Sequence, residues 1–158
     1  MPLILIIFSP LVAAVFSFFV KKKTSFLEIA TAAVSSLELI AAIVIAYEVY
    51  KSGSYTLSSY LAVDALGALL LMIVAVVGFA ASIYSIGYLR EEVKKGIIGF
   101  SRVKQYFILF HLFVMAMFFA IATTSPIMMW IAIEATTLST AFLISFYNKP
   151  SAMEAAWK

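Results

Sequence analysis

Glu134 is the side chain in this sequence best placed for chemistry. It stands inside Pro126–Tyr147, an apolar run with no other charged residue. Ser125 suits a helix N-cap and Pro126 the first helical position, where the missing N–H is one that no helix partner would need. Counted from that start, Glu134 lies about 14 Å into a hydrocarbon layer roughly 30 Å thick. A carboxyl group held away from water exchanges between its neutral and ionised forms near neutrality, which a proton relay requires. The structural alternative is a glutamic acid that stays neutral and bonds a neighbouring helix. Trp130 precedes Glu134 by one turn on the same face, and Thr137 and Leu138 follow it by one turn. The Thr136 and Thr137 hydroxyls suit either water or a preceding backbone carbonyl.

Other ionisable groups fall at graded depths. Lys158 lies past Ser151 by about 10 Å of helix, entering from the side opposite Ser125. A direct salt bridge with Glu134 is not expected. At an assumed separation of about 10 Å and an effective dielectric of about 20, the two couple by about 1.7 kcal/mol. Snorkelling, or pairing with Glu154 one turn back, is the alternative for Lys158. His111, the single histidine, is expected about 9 Å inside its segment, where it either passes protons inward or bonds a carbonyl. Glu38 lies about 15 Å beyond Glu28, and function and packing explain it equally well. Asp64 stands at the start of a segment, where the helix dipole favours a carboxylate, with a water path as the second reading. The remaining acids read as Glu28 in a capping box, Glu48 at a helix end, Glu91 and Glu92 in a loop, and Glu154 in a first turn.

The elements that must hold these groups are transmembrane helices. The 158 residues are 65% hydrophobic and 12% charged, with a mean hydropathy of +1.09; an ordinary soluble domain is roughly 45–50% apolar. Apolar segments are expected at 3–20, 26–50, 62–89, 105–122 and 126–147, with a sixth helix starting at 152–158. The fold class is an all-α integral membrane protein: five transmembrane helices plus the start of a sixth, forming a single domain. Lys21 follows the first segment as in a stop-transfer anchor, so that segment reads as retained rather than as a signal peptide. Ser25 with Glu28, and Ser151 with Glu154, have capping-box spacing. Gly67, Gly78 and Gly87 in the third segment suit close helix packing in lipid.

There is no cysteine. This excludes disulfides, iron–sulfur ligation by this chain and thiol catalysis, and one histidine is too few for a zinc or haem site. The net charge of +3 does not point to nucleic acid, because the basic residues form short runs between apolar segments. Lys21, Lys22, Lys23, Arg90, Lys94, Lys95, Arg102, Lys104 and Lys149 fall on one side, against Lys51 on the other. The positive-inside rule then puts the N-terminus outside and the Arg90–Lys104 loop in the cytoplasm.

Two stretches together carry a resemblance. Trp130-Ile-Ala-Ile-Glu134-Ala-Thr-Thr-Leu is followed by Glu154-Ala-Ala-Trp-Lys158, and both resemble the antiporter-like subunits shared by complex I, membrane-bound nickel-iron hydrogenases and multisubunit cation/proton antiporters. Hydrogenase-4 component F is the family branch they most resemble. Val63-Asp64-Ala65-Leu66 through Tyr84-Ser-Ile-Gly-Tyr88 is similar too. The resemblance implies that Glu134 corresponds to the family's fifth-helix glutamate and Lys158 to its sixth-helix lysine. It implies a proton-translocating subunit of a cell-membrane respiratory complex, without redox chemistry of its own. Any nickel-iron centre, iron–sulfur cluster or flavin would belong to partner subunits. The expected partners are other membrane subunits, the remaining helices of the family fold, lipid, and protons or sodium ions. Family members continue into further helices, with a partner lysine in the seventh, so a split gene, a truncation or the first part of a longer subunit is expected. A sodium/proton antiporter subunit and a non-conducting structural remnant are the alternatives.

Overall fold

A computed structural model describes residues 1–21, 24–147 and 150–157, leaving aside the side chains of Pro150, Ser151 and Trp157. Lys158 and the Ser151 half of the second capping box lie outside the described residues and side chains. The elements are α1 (Pro2–Phe19), α2 (Thr24–Ser52), β1 (Tyr55–Ser58), β2 (Leu61–Val63), α3 (Ala65–Lys94), α4 (Phe100–Ala122), α5 (Pro126–Ile144) and α6 (Pro150–Trp157), with a 3-10 turn at Ser145–Tyr147. Five of the helices are long and apolar enough to cross a membrane.

The segment bounds differ from those expected in ways that have local causes. Lys51–Ser59 reads as a polar loop but folds partly as an antiparallel hairpin, β1 with β2, pairing Tyr55 with Val63 and Thr56 with Ala62. Gly53, at φ 81°, ends the turn after α2. Arg90 to Lys104 is mostly helical rather than a loop: α3 runs on to Lys94, and α4 already begins at Phe100. Gly96, at φ 69°, makes the break, with the Gly96 and Ile97 amides bonding the Val93 and Glu92 carbonyls at 3.0 Å each. Ser25 lies inside α2, and Glu28 pairs with Arg90 instead of capping. Ser125 does occupy the N-cap of α5 with Pro126 behind it, although its side chain makes no capping bond.

Helices α1 to α4 close into a ring in which each packs on its sequence neighbour and α1 returns to α4, while α5 leans mainly on α4. At the hairpin end, Leu3, Ile6, Ala42, Ile45, Leu71, Ala75, Val114 and Phe118 form one apolar cluster. At the other end, Leu27, Leu89, Val103, Phe107 and Phe146 form a second. Each cluster is supported by polar contacts at its own end. The Met1 ammonium donates to the Tyr55 hydroxyl at 2.9 Å, and the Thr124 amide to the Tyr60 carbonyl at 3.0 Å. At the opposite end, Lys104 donates to the Phe18 and Val20 carbonyls. The basic residues Arg90, Lys94 and Lys104 thus gather away from the hairpin.

The glycines of α3 do not serve close helix packing as expected. A Cβ at Gly67 would meet the Asp64 carboxylate at 3.1 Å and Val63 at 3.2 Å, whereas at Gly78 the nearest atom is Val114 at 4.0 Å and at Gly87 there is open space. Gly67 is fixed by the cap beside it rather than by a neighbouring helix.

Candidate functional site

Helix α5 is the least enclosed of the five long helices, with Ala132 its one buried residue. Glu134 lies on the uncovered side. With Thr137, Leu138, Ala141 and Ala156 of α6 it lines an open groove of about 460 Å³. Trp130, one turn before, is 63% exposed. The Thr137 hydroxyl donates to the Glu134 carbonyl at 2.8 Å and the Thr136 hydroxyl to the Ile133 carbonyl at 2.6 Å, which is the backbone-bonding reading of the pair. The apolar sequence around Glu134 builds a helix that needs cover, and within this chain α6 begins that cover.

Three other expected site residues are elsewhere. Asp64 is the N-cap of α3, and its carboxylate accepts from the Gly67 amide at 2.7 Å. That is the helix-start reading. His111 is the middle residue of the 23-residue α4, because the helix starts at Phe100 rather than Gln105. It is therefore deeper than expected, about 16 Å from the helix start. It is 1% exposed and packs between α4 and α2, where its Nε2 and the Thr31 hydroxyl share a hydrogen bond of 3.1 Å. It does not line the Glu134 groove. Glu38 is 3% exposed and is the middle residue of the 29-residue α2.

Around Glu38 and His111 the fold assembles a polar belt that was visible only in part from sequence. Glu28, Thr31, Ser35 and Glu38 are all buried on one face of α2. Ser35 and Ser82 of α3 bond at 2.7 Å, and Ser85 of α3 bonds the Tyr106 hydroxyl of α4 at 2.7 Å. Glu28 accepts from Arg90 at 2.6 and 3.0 Å. The signal that could have found the belt is the spacing 28, 31, 35, 38, one helical stripe of polar residues inside an apolar segment. No cluster of three or more His, Asp or Glu able to hold a metal occurs among the described residues.

Residues 50–96, the end of α2, the hairpin and all of α3, match the family described as NADH-ubiquinone oxidoreductase (complex I), chain 5 N-terminus. A hydrogenase-4 component F homolog from Methylacidiphilum infernorum (isolate V4) is 26% identical over 100 residues, 63% of this chain and 21% of that protein. The fold is that of a chain in the membrane-bound sulfane sulfur reductase, an archaeal respiratory membrane complex: TM-score 0.75 at 20% identity, covering 98% of this chain and 32% of that one. This chain therefore spans about a fifth of the curated relative and about a third of the chain it superposes on.

Proposed function

We propose that this chain, a member of the antiporter-like subunit family in its N-terminal region, contributes half of a proton path to the membrane arm of a hydrogenase-type or NADH/ferredoxin:acceptor oxidoreductase complex. A membrane subunit of antiporter-like type in a respiratory complex is what the family matches support; the proton path rests on Glu134. One observation carries it: an ionisable Glu134 stands at the middle of an apolar helix, on a face that this chain leaves open. A charged group at that depth is costly against lipid, so such faces are covered by protein or line a water-filled cavity. The cover comes from the remaining helices of the family fold and from other membrane subunits. Glu134 takes up and releases the proton, Thr137 orients it through the backbone of its turn, and Lys158 supplies a positive charge further along the path. Redox cofactors belong to partner subunits. The chain sits in the cell membrane, with the basic end that holds Arg90, Lys94 and Lys104 facing the cytoplasm.

The test is proton uptake by vesicles containing the assembled complex with Glu134→Gln. Gln keeps shape and hydrogen bonding but cannot ionise, so assembly persists while proton movement per electron falls at least tenfold. Unchanged pumping would make the carboxylate structural. Sodium movement in place of proton movement would turn the reading to a sodium/proton antiporter subunit.

A further inference from the structure

We propose that the polar belt between α2, α3 and α4 is a second route for protons, a hydrated half-path leading from the basic end of the bundle to Glu38. It rests on the reading that the chain moves ions and lies in series with the Glu134 path, on residues separate from that groove, so that blocking either one stops uptake.

The route has a mouth. A cavity of about 270 Å³ at the basic end is lined by Thr24, Ser25, Glu28, Arg90 and Lys94 among others. Glu28 is nearly enclosed, its side chain 7% exposed, whereas the Arg90 side chain that bonds it is 59% exposed. The ion pair thus marks the boundary between water and interior. From Glu28 the polar residues of α2 climb one face in steps of three and four: Thr31, bonded to His111; Ser35, bonded to Ser82; then Glu38. The climb covers about 15 Å. Ser85 and Tyr106 add a hydroxyl pair on the α3–α4 side of the same belt.

The route also has an end. Beyond Glu38 the same face of α2 turns apolar at Ala41, Ala42 and Ile45, within the hairpin-end cluster. A path that stops at mid-helix delivers protons to a holding group and goes no further on that line.

Helix glue by serine hydroxyls would explain Ser35 and Ser82 alone. It does not explain Glu38. Its Oε1 is buried with no hydrogen-bond partner among the described residues, and so is Nδ1 of His111. A buried carboxyl without a partner is destabilising, and packing would be served better by leucine or alanine at that position. Water entering the belt satisfies both atoms. The chemistry is reversible transfer from hydronium: the carboxylate oxygen takes the proton and water is released, or the reverse. The titratable groups facing the belt and its mouth are Glu28 and Glu38 from α2, Arg90 and Lys94 from α3, and Tyr106 and His111 from α4. Leu27, Leu89 and Phe107 form an apolar collar near the mouth, so access is slower inside than at the mouth.

The sequence contains no cysteine, so in each single-thiol variant of the assembled complex this subunit carries one thiol, which is read after the subunit is separated from its partners. Thr24→Cys at the mouth, Ser35→Cys and Ser82→Cys in the belt, and Ile40→Cys on the outward face of α2 are exposed to silver ion, a small water-borne thiol reagent. Unblocked thiol is then measured on this subunit alone, isolated from its partners after denaturation. The expected order is Thr24→Cys fastest, the two belt variants at least tenfold faster than Ile40→Cys. In the same vesicles Glu38→Gln assembles normally and lowers proton uptake at least tenfold. Belt thiols as inert as Ile40→Cys, or full proton uptake with Glu38→Gln, would overturn the route. If Glu134→Gln still blocks uptake in that case, the α5 reading stands alone. If Glu134→Gln is harmless while silver reaches the belt and Glu38→Gln blocks uptake, the route survives and the α5 assignment falls.

Discussion

The interior of the α1–α4 ring and the open face of α5 solve opposite problems with similar residues. Inside the ring, Glu38, His111, Ser35 and Ser82 are enclosed between two apolar clusters, and the chain supplies most of their partners. On α5, Glu134, Trp130 and Thr137 face outward, and the chain supplies little beyond α6. Sequence hydropathy is high in both. The difference teaches that a mid-helix acid in an apolar segment is not yet a buried acid: burial depends on which side of the helix has neighbours. The ring encloses its own polar groups, whereas α5 presents Glu134 on a face that the described residues cover only in part.

If the ring is the stable part, the largest effect on stability comes from its enclosed apolar clusters. Phe107, fully buried, when changed to Ala, costs about 2–3 kcal/mol. In lipid the cavity term remains while much of the water-transfer term falls away. Thermal unfolding in detergent reports this, and a shift no larger than that of an exposed-site variant would show that the ring is not tightly packed. Next comes the cap of α3. Asp64→Ala removes the acceptor for the Gly67 amide and lowers stability by about 1 kcal/mol, with Asp64→Asn retaining most of it; an equal loss in both variants would point to the charge rather than the cap. A smaller term is the Ser35–Ser82 bond, for which a double-mutant cycle to alanine gives a coupling of about 0.6 kcal/mol. A coupling near zero would mean that the two hydroxyls prefer water to each other, which sharpens the hydrated-route proposal rather than the packing one. The smallest expected effect on the bundle itself is at Trp130, where Ala changes unfolding by less than about 0.5 kcal/mol. Recovery of the partner subunits in gentle detergent should nevertheless fall with Trp130→Ala. Loss of bundle stability with normal recovery of partners would reverse the contrast between ring and α5.

Much of the fold was legible in the sequence because lipid leaves few choices. A long apolar segment without water to bond its backbone must be a helix, so the five spans, the Pro126 start of α5 and the gathering of basic residues at one end all followed from residue order alone. Glu134 stood out for the same reason, being the single charge in its run. The ends of α3 and α4 did not follow. Arg90 to Lys94 and Phe100 to Lys104 look like loop by charge, yet helix propensity continues through them, and Gly96 with its positive φ sets the break. The β1–β2 hairpin depended on pairing between stretches too short to signal themselves, closed by contacts to Thr123 and Thr124.

What the tertiary structure alone decided is which polar groups meet. The sequence determined that Glu28, Thr31, Ser35 and Glu38 share a face of α2, since that depends only on the 3.6-residue period. It did not determine that this face turns towards Ser82 and His111, or that the Glu134 face of α5 turns away from the ring. Facing is set by how four helices close around one another, a property of side-chain shape summed over the whole bundle and absent from any single segment.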